Sequence, residues 1–156
     1  MKNLFLILVL LISTIANAQW VKVSNMNFRS AAVTGSNIYA AKDYGEIYRT
    51  TVGDTNWIQV SHINPGGSGS ISLAVNGNRI FAGGPNGFYY TTDGDTNWTQ
   101  TFTGSSSNLL STPGGLYIIS GGYVWRSSNN GVSFVQTASP QNPTALGSNV
   151  NGSIIY

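Results

Sequence analysis

The sequence has no cysteine, which excludes disulfide staples and thiolate metal sites, and with them the acylated Cys that follows a lipoprotein signal. Charge is scarce too. Charged residues make up 8% of the 156, with seven Lys or Arg against five Asp or Glu. Nucleic-acid binding needs a basic stripe that so few cations cannot build, so no nucleic-acid partner is expected. The single histidine, His62, has no Ser, Cys or metal-ligand companion at a suggestive spacing and reads as an exposed loop residue. No cofactor motif is present: Gly83-Gly84-Pro85-Asn86-Gly87 lacks the Lys and the helix that a phosphate loop requires. Long apolar runs are missing with one exception. Leu4 to Ile12 is unbroken, preceded by Lys2 and followed by Ala16-Asn17-Ala18. That is the layout of a cleavable signal peptide over residues 1–18, and it falls well short of the ~20 residues a bilayer span needs. The expectation is an exported chain, extracellular or periplasmic, that starts near Gln19 and has no membrane span.

Glycine is abundant instead, at 19 residues, among many Ser, Thr and Asn. Helical periodicity is absent after the leader, and short alternating runs rich in Tyr, Phe, Ile, Val and Thr point to strands joined by tight polar turns. These runs recur. Ile47-Tyr48-Arg49-Thr50-Thr51-Val52-Gly53-Asp54-Thr55-Asn56-Trp57 aligns with Phe88-Tyr89-Tyr90-Thr91-Thr92-Asp93-Gly94-Asp95-Thr96-Asn97-Trp98 and with Val124-Trp125-Arg126-Ser127-Ser128-Asn129-Asn130-Gly131-Val132-Ser133-Phe134. Upstream of each lies a glycine turn followed by an aliphatic and aromatic pair, Ile38-Tyr39, Ile80-Phe81 and Leu116-Tyr117, with a fourth such pair at Ile155-Tyr156. A period of roughly 40 residues is that of four-stranded propeller blades. Blades are expected at about 28–60, 70–102 and 106–137, with a partial fourth at 144–156. Trp20 to Val23 matches the last strand of a blade, which suggests ring closure, and the partial fourth unit suggests a truncated propeller.

The hairpins between the third and fourth strands resemble the Asp-box, or bacterial neuraminidase repeat, Ser/Thr-x-Asp-x-Gly-x-Ser/Thr-Trp. Its residues here are Thr50, Asp54 and Trp57, then Thr91, Asp93, Asp95 and Trp98, then Ser127, Asn129, Gly131 and Phe134. The first copy has Val52 at the Asp position, the second has Asp95 at the Gly position, and the third has Asn129 for Asp and Phe134 for Trp. The resemblance extends to photosystem II assembly factor-like propellers through hairpins such as Gly45 to Thr51. It implies an all-β propeller of four-stranded antiparallel blades in which the boxes are structural, with the Asp or Asn side chain accepting turn amides and the aromatic ring buried beneath. It also implies a binding or scaffold module for protein or glycan.

The alternative is the N-terminal part of a sialidase-like glycoside hydrolase. Such an enzyme needs two carboxylates across the scissile bond, and sialidases add three arginines and a Tyr–Glu pair. With three acids in the boxes, Asp43 and Glu46 remain, in one loop. Phe28-Arg29-Ser30 faintly matches the family's aromatic-Arg motif without its Pro, so Arg29 is read as an ordinary strand residue. Asp43 and Glu46 are also too few to make more than a weak calcium site. Asn97-Trp98-Thr99 matches a glycosylation acceptor, but Asn97 is equally a turn residue. No catalytic residue is assigned, and the chain is read as non-catalytic as it stands.

Overall fold

The computed structural model describes residues 24–63, 69, 71–94, 96–138, 141–149 and 154–155. The proposed leader 1–18, the closing strand Trp20 to Val23, and Asp95 lie outside these residues. Alternating side chains form the strands of each unit, a two-residue turn joins its first two strands, and a turn of six or seven residues joins its last two. In the first, β1 (Ser30–Thr34), β2 (Asn37–Ala41), β3 (Glu46–Thr51) and β4 (Ile58–His62) form an antiparallel meander. β5 (Ser72–Asn76), β6 (Arg79–Gly84), β7 (Gly87–Thr91) and β8 (Thr99–Phe102) form the second. The third is β9 (Ser107–Thr112), β10 (Gly115–Ser120), β11 (Tyr123–Ser127) and β12 (Val135–Gln136). A short pair, β13 (Gly147–Ser148) and β14 (Ile154–Ile155), follows. The only helical turn among the described residues is a 3-10 turn at Asp43–Gly45.

Register repeats from sheet to sheet. Tyr39 pairs with Arg49, Phe81 with Tyr90 and Tyr117 with Arg126. Between the third and fourth strands a one-residue shift falls after Ile47 in the first sheet and after Phe88, the equivalent position, in the second. Such a shift adds local twist. The turn that opens the first two units is closed by the pairs Thr34–Asn37 and Asn76–Arg79, with Gly35 and Gly77 in the left-handed region at φ +57 and +61. A side chain there would be strained, as two-residue hairpin turns require positive φ.

The sheets lie face to face in chain order, with β5 against both β1 and β9, and the core forms two layers between them. Tyr39, Ala41 and Ile47 of the first sheet meet Leu73, Ile80 and Ala82 of the second, with Tyr89 and Trp98 packed on their edge. The opposite face of the second sheet sends Phe81 and Phe88 against Leu116 and Ile118. Alternation along β6 explains this double burial, since Ile80 and Phe81 point to opposite faces. Phe81 and Phe88 are fully buried, with ring centroids 5.5 Å apart, and burying each ring contributes on the order of 2–3 kcal/mol. Asn108 donates to the Thr144 carbonyl at 3.1 Å and the Asn142 amide to the Gly122 carbonyl at 2.8 Å, which ties the last segment to the third sheet.

Candidate functional site

Two groups of polar residues stand out: the turns between the third and fourth strands, and the loop between β2 and β3. In the third unit the buried Ser127 hydroxyl donates to Asn129 Oδ1 at 2.9 Å and accepts the Gly131 amide at 2.9 Å. Asn129 in turn accepts the Ser133 amide at 2.9 Å and donates to Ser133 Oγ at 2.8 Å. The second unit repeats this set. Thr91 Oγ1 donates to Asp93 Oδ1 at 2.6 Å and accepts the Gly94 amide at 3.1 Å, while Asn97 donates to Asp93 Oδ2 at 2.7 Å. The glycine in the left-handed conformation here is Gly94, φ +76, one residue before position 95; in the third unit it is Gly131, φ +82. A β-carbon on Gly94 would run into the Tyr39 hydroxyl, and one on Gly131 into the Phe81 and Phe88 rings. These two positions let each turn close onto the sheet before it.

The first turn differs because Val52 supplies no acceptor. The Thr50 hydroxyl is buried and finds no hydrogen-bond partner among the described residues. An orphaned group of this kind costs about 1–3 kcal/mol. Asp54 caps the turn instead, its Oδ1 accepting the Thr55 and Asn56 amides at 2.6 and 3.0 Å. The aromatic residues that follow also diverge. Phe134 meets Phe88 edge-on at 4.8 Å and Trp57 packs on Phe28 at 4.6 Å. Trp98 lies between the first two sheets, its indole N–H buried and without an acceptor among the described residues.

The β2–β3 loop and the start of β3 hold the two acids that lie outside those turns, Asp43 and Glu46. Arg29, just before β1, donates from Nε and Nη2 to Asp43 at 2.9 and 2.8 Å. Lys42 Nζ lies 2.6 Å from Glu46 Oε2, which also accepts the Tyr48 hydroxyl at 3.1 Å. Glu46 and Tyr48 alternate along β3 and so share a face. The hydrogen bond from Lys42 and then that from Tyr48 hold the Glu46 carboxyl below its ordinary value. The same contact with Glu46 raises Lys42, and Asp43 raises Arg29. Between the two ion pairs Tyr44 sits in the left-handed region at φ 64 with 62% of its surface exposed, its carbonyl 2.8 Å from His62 Nε2. Among the described residues no group of three or more His, Cys, Asp or Glu could hold a metal. From sequence alone Arg29 reads as an ordinary strand residue and His62 as an exposed loop residue, Asp43 and Glu46 make no more than a weak calcium site, and Lys42, Tyr44 and Tyr48 are assigned no role. The i,i+4 spacing of Lys42 and Glu46 was the available signal.

No protein-family model matches the sequence, and no curated protein matches it either. Solved structures do. The extracellular domain of a hybrid two-component system from B. thetaiotaomicron superposes with a TM-score of 0.64 at 16% identity, over 82% of this chain and 19% of that one. YCF48 bound to a D1 peptide does so at 0.60 and 20% identity, over 81% of this chain and 44% of that one. A GH74 enzyme of Niastella koreensis matches at 0.53 and 26% identity, over 71% of this chain and 18% of that one. The chain spans less than half of each. The fold is all-β and propeller-like, built from three four-stranded antiparallel sheets. No helix of the described residues is long and apolar enough to cross a membrane, which leaves membrane barrels untouched.

Proposed function

We propose that this chain is an exported, non-catalytic binding or scaffold module whose turns of the Asp-box type are structural and whose β2–β3 loop presents a surface to a protein or glycan. The observation that carries this reading is the state of the acids. Asp43 is clamped by Arg29 and Glu46 by Lys42 and Tyr48, while Asp54 and Asp93 accept hydrogen bonds inside their own turns. Two carboxylates that must each exchange a proton with substrate are poorly served by such pairing. Tyr44 is the feature left to meet a partner. A bulky residue held at positive φ stores about 1–3 kcal/mol of strain, which is retained where function needs it. The likeness to YCF48 solved with a D1 peptide is consistent with a binding role.

The test replaces Tyr44 with Gly and probes the purified chain on glycan and peptide arrays. Loss of binding together with a raised melting temperature supports the loop as the binding surface. Unchanged array binding in Tyr44→Gly would reject it. A second reading, part of a sialidase-like glycoside hydrolase with catalytic groups on further chain, draws on the 26% identity to the GH74 enzyme and on the Tyr48–Glu46 hydrogen bond. Release of reducing sugar from a polysaccharide panel by a chain extended past Tyr156, absent with residues 19–156 alone, would establish it in place of the first.

A further inference from the structure

The interface between the first and second sheets contains a groove that the interface between the second and third does not need. It measures about 260 Å³ and is lined by Ser61, His62, Ile63, Tyr89, Thr96 and Trp98. The strand registers identify what is missing from it. Ser61 pairs with Ile47 as Phe102 pairs with Phe88, so the two occupy one position of the repeat. Tyr89 pairs with Ala82 as Trp125 pairs with Ile118. In the later interface the Phe102 ring fills the gap, 5.3 Å from Trp125 and 5.8 Å from Phe134, both edge-on. In the earlier one a hydroxymethyl group stands in place of that ring, and among the described residues none fills the space beside Tyr89 and Trp98.

Three exchanges also change the chemistry of the gap. Phe134 becomes Trp98, which adds an N–H that is buried and has no acceptor among the described residues. Phe102 becomes Ser61, and Thr103 becomes His62, so that with Thr96 the rim carries hydroxyl and imidazole groups. An all-aromatic contact has turned into two aromatic walls with a polar edge. The occupant such a place fits is a ring with apolar faces and a periphery of oxygens. We infer that the groove between the first and second sheets binds a single pyranose ring, stacked against Tyr89 and Trp98, with its hydroxyls toward the polar rim of Ser61, His62 and Thr96. The volume lies just below the ~300–1,000 Å³ of sites for drug-sized ligands, which suits one sugar unit and not a longer chain. An aromatic side chain of a partner would match the size but leave the polar rim without oxygens to bond. The site stands on the sheet packing alone and survives if the loop surface around Tyr44 fails its own test.

Two substitutions already present in the later interface supply the controls. Ser61→Phe installs the equivalent of Phe102, and Trp98→Phe installs the equivalent of Phe134, so both are compatible with the fold. The purified chain is titrated with the methyl pyranosides of glucose, galactose, mannose and N-acetylglucosamine, and separately with N-acetylphenylalaninamide and N-acetyltyrosinamide. Binding is followed on the indole N–H resonance of Trp98, assigned by its absence in Trp98→Phe, and in that variant on the Tyr89 amide. At least one pyranoside should move the resonance saturably. Ser61→Phe should weaken that binding tenfold or more while keeping or raising the melting temperature, and Trp98→Phe should also weaken it with the fold retained. Absence of any pyranoside response, a response to the aromatic amides alone, or undiminished binding by either folded variant would overturn the assignment.

Discussion

Replacing Val52 with Asp should stabilise this protein. The Thr50 hydroxyl is buried with no partner among the described residues, whereas the equivalent Thr91 and Ser127 hydroxyls donate to Asp93 and Asn129 at 2.6 and 2.9 Å. Val52 is 64% exposed, so its removal gives up little burial. Relieving an unsatisfied buried hydroxyl is worth about 1–3 kcal/mol. Part of this is spent on re-forming a turn that now closes through the Asp54 amide to the Thr51 carbonyl at 3.0 Å. A net gain of roughly 1–2 kcal/mol follows, or a rise of about 3–8 °C in melting temperature for a chain of this size. Thr50→Val is the control, since it deletes a hydroxyl that bonds nothing and should be neutral or mildly stabilising. Thr91→Val deletes one that serves three bonds and should cost about 1–3 kcal/mol. Urea denaturation of the three variants measures all of this. If Val52→Asp is neutral or harmful while Thr50→Val costs as much as Thr91→Val, the Thr50 hydroxyl has a partner after all and the reasoning is refuted.

Other consequences are equally direct. Gly131→Ala should cost about 2–5 kcal/mol, combining positive-φ strain with a β-carbon driven into the Phe81 and Phe88 rings, whereas Gly53→Ala, with open space around it, should cost only about 1 kcal/mol; equal losses in urea melts would contradict the packing. Phe88→Ala empties the fully buried site beside Phe81 and Phe134 and should cost about 3–5 kcal/mol, read as a lower denaturation midpoint at unchanged slope. Glu46 is held below its ordinary value of 4.5 in the folded chain, so its stabilisation is fully present above that value and is lost as pH falls through the lower folded value. Glu46→Gln should therefore flatten the fall in melting temperature on the acid side of pH 4.5, and an unchanged acid profile would show the pair contributes nothing.

The repeated sheet was legible because its marks are local. Alternation in Ile80-Phe81-Ala82 and the glycine turns at Gly35 and Gly77 announce strands and hairpins without tertiary help. Sheet order was legible too, since the same hairpin recurs at blade spacing. What escaped depends on partners distant in sequence or on backbone detail. Asp43 is paired by Arg29 from before β1, and no local pattern joins them. Tyr44 at positive φ defies residue preference, so composition argues against the conformation it adopts. The aligned position Gly53, Gly94 and Asn130 is left-handed in all three turns, and the third adds Gly131 after it, a backbone detail that residue identity alone does not reveal. The groove beside Trp98 was hidden for a similar reason. Ser61 and Phe102 are seen as equivalents once strand register is known, and only then does the missing ring become visible.

The repeated-sheet packing itself is tested most directly by proton–proton nuclear Overhauser contacts in the isotope-labelled chain. Cross-strand contacts should appear at matched positions, Tyr39 with Arg49, Phe81 with Tyr90 and Tyr117 with Arg126. Contacts between sheets should run from Gly94 to the Tyr39 ring and from Gly131 to the Phe81 ring. Absence of the Gly94–Tyr39 and Gly131–Phe81 contacts from a well-dispersed spectrum would mean that the three sheets do not stack in register, and would contradict the architecture on which both proposed sites depend.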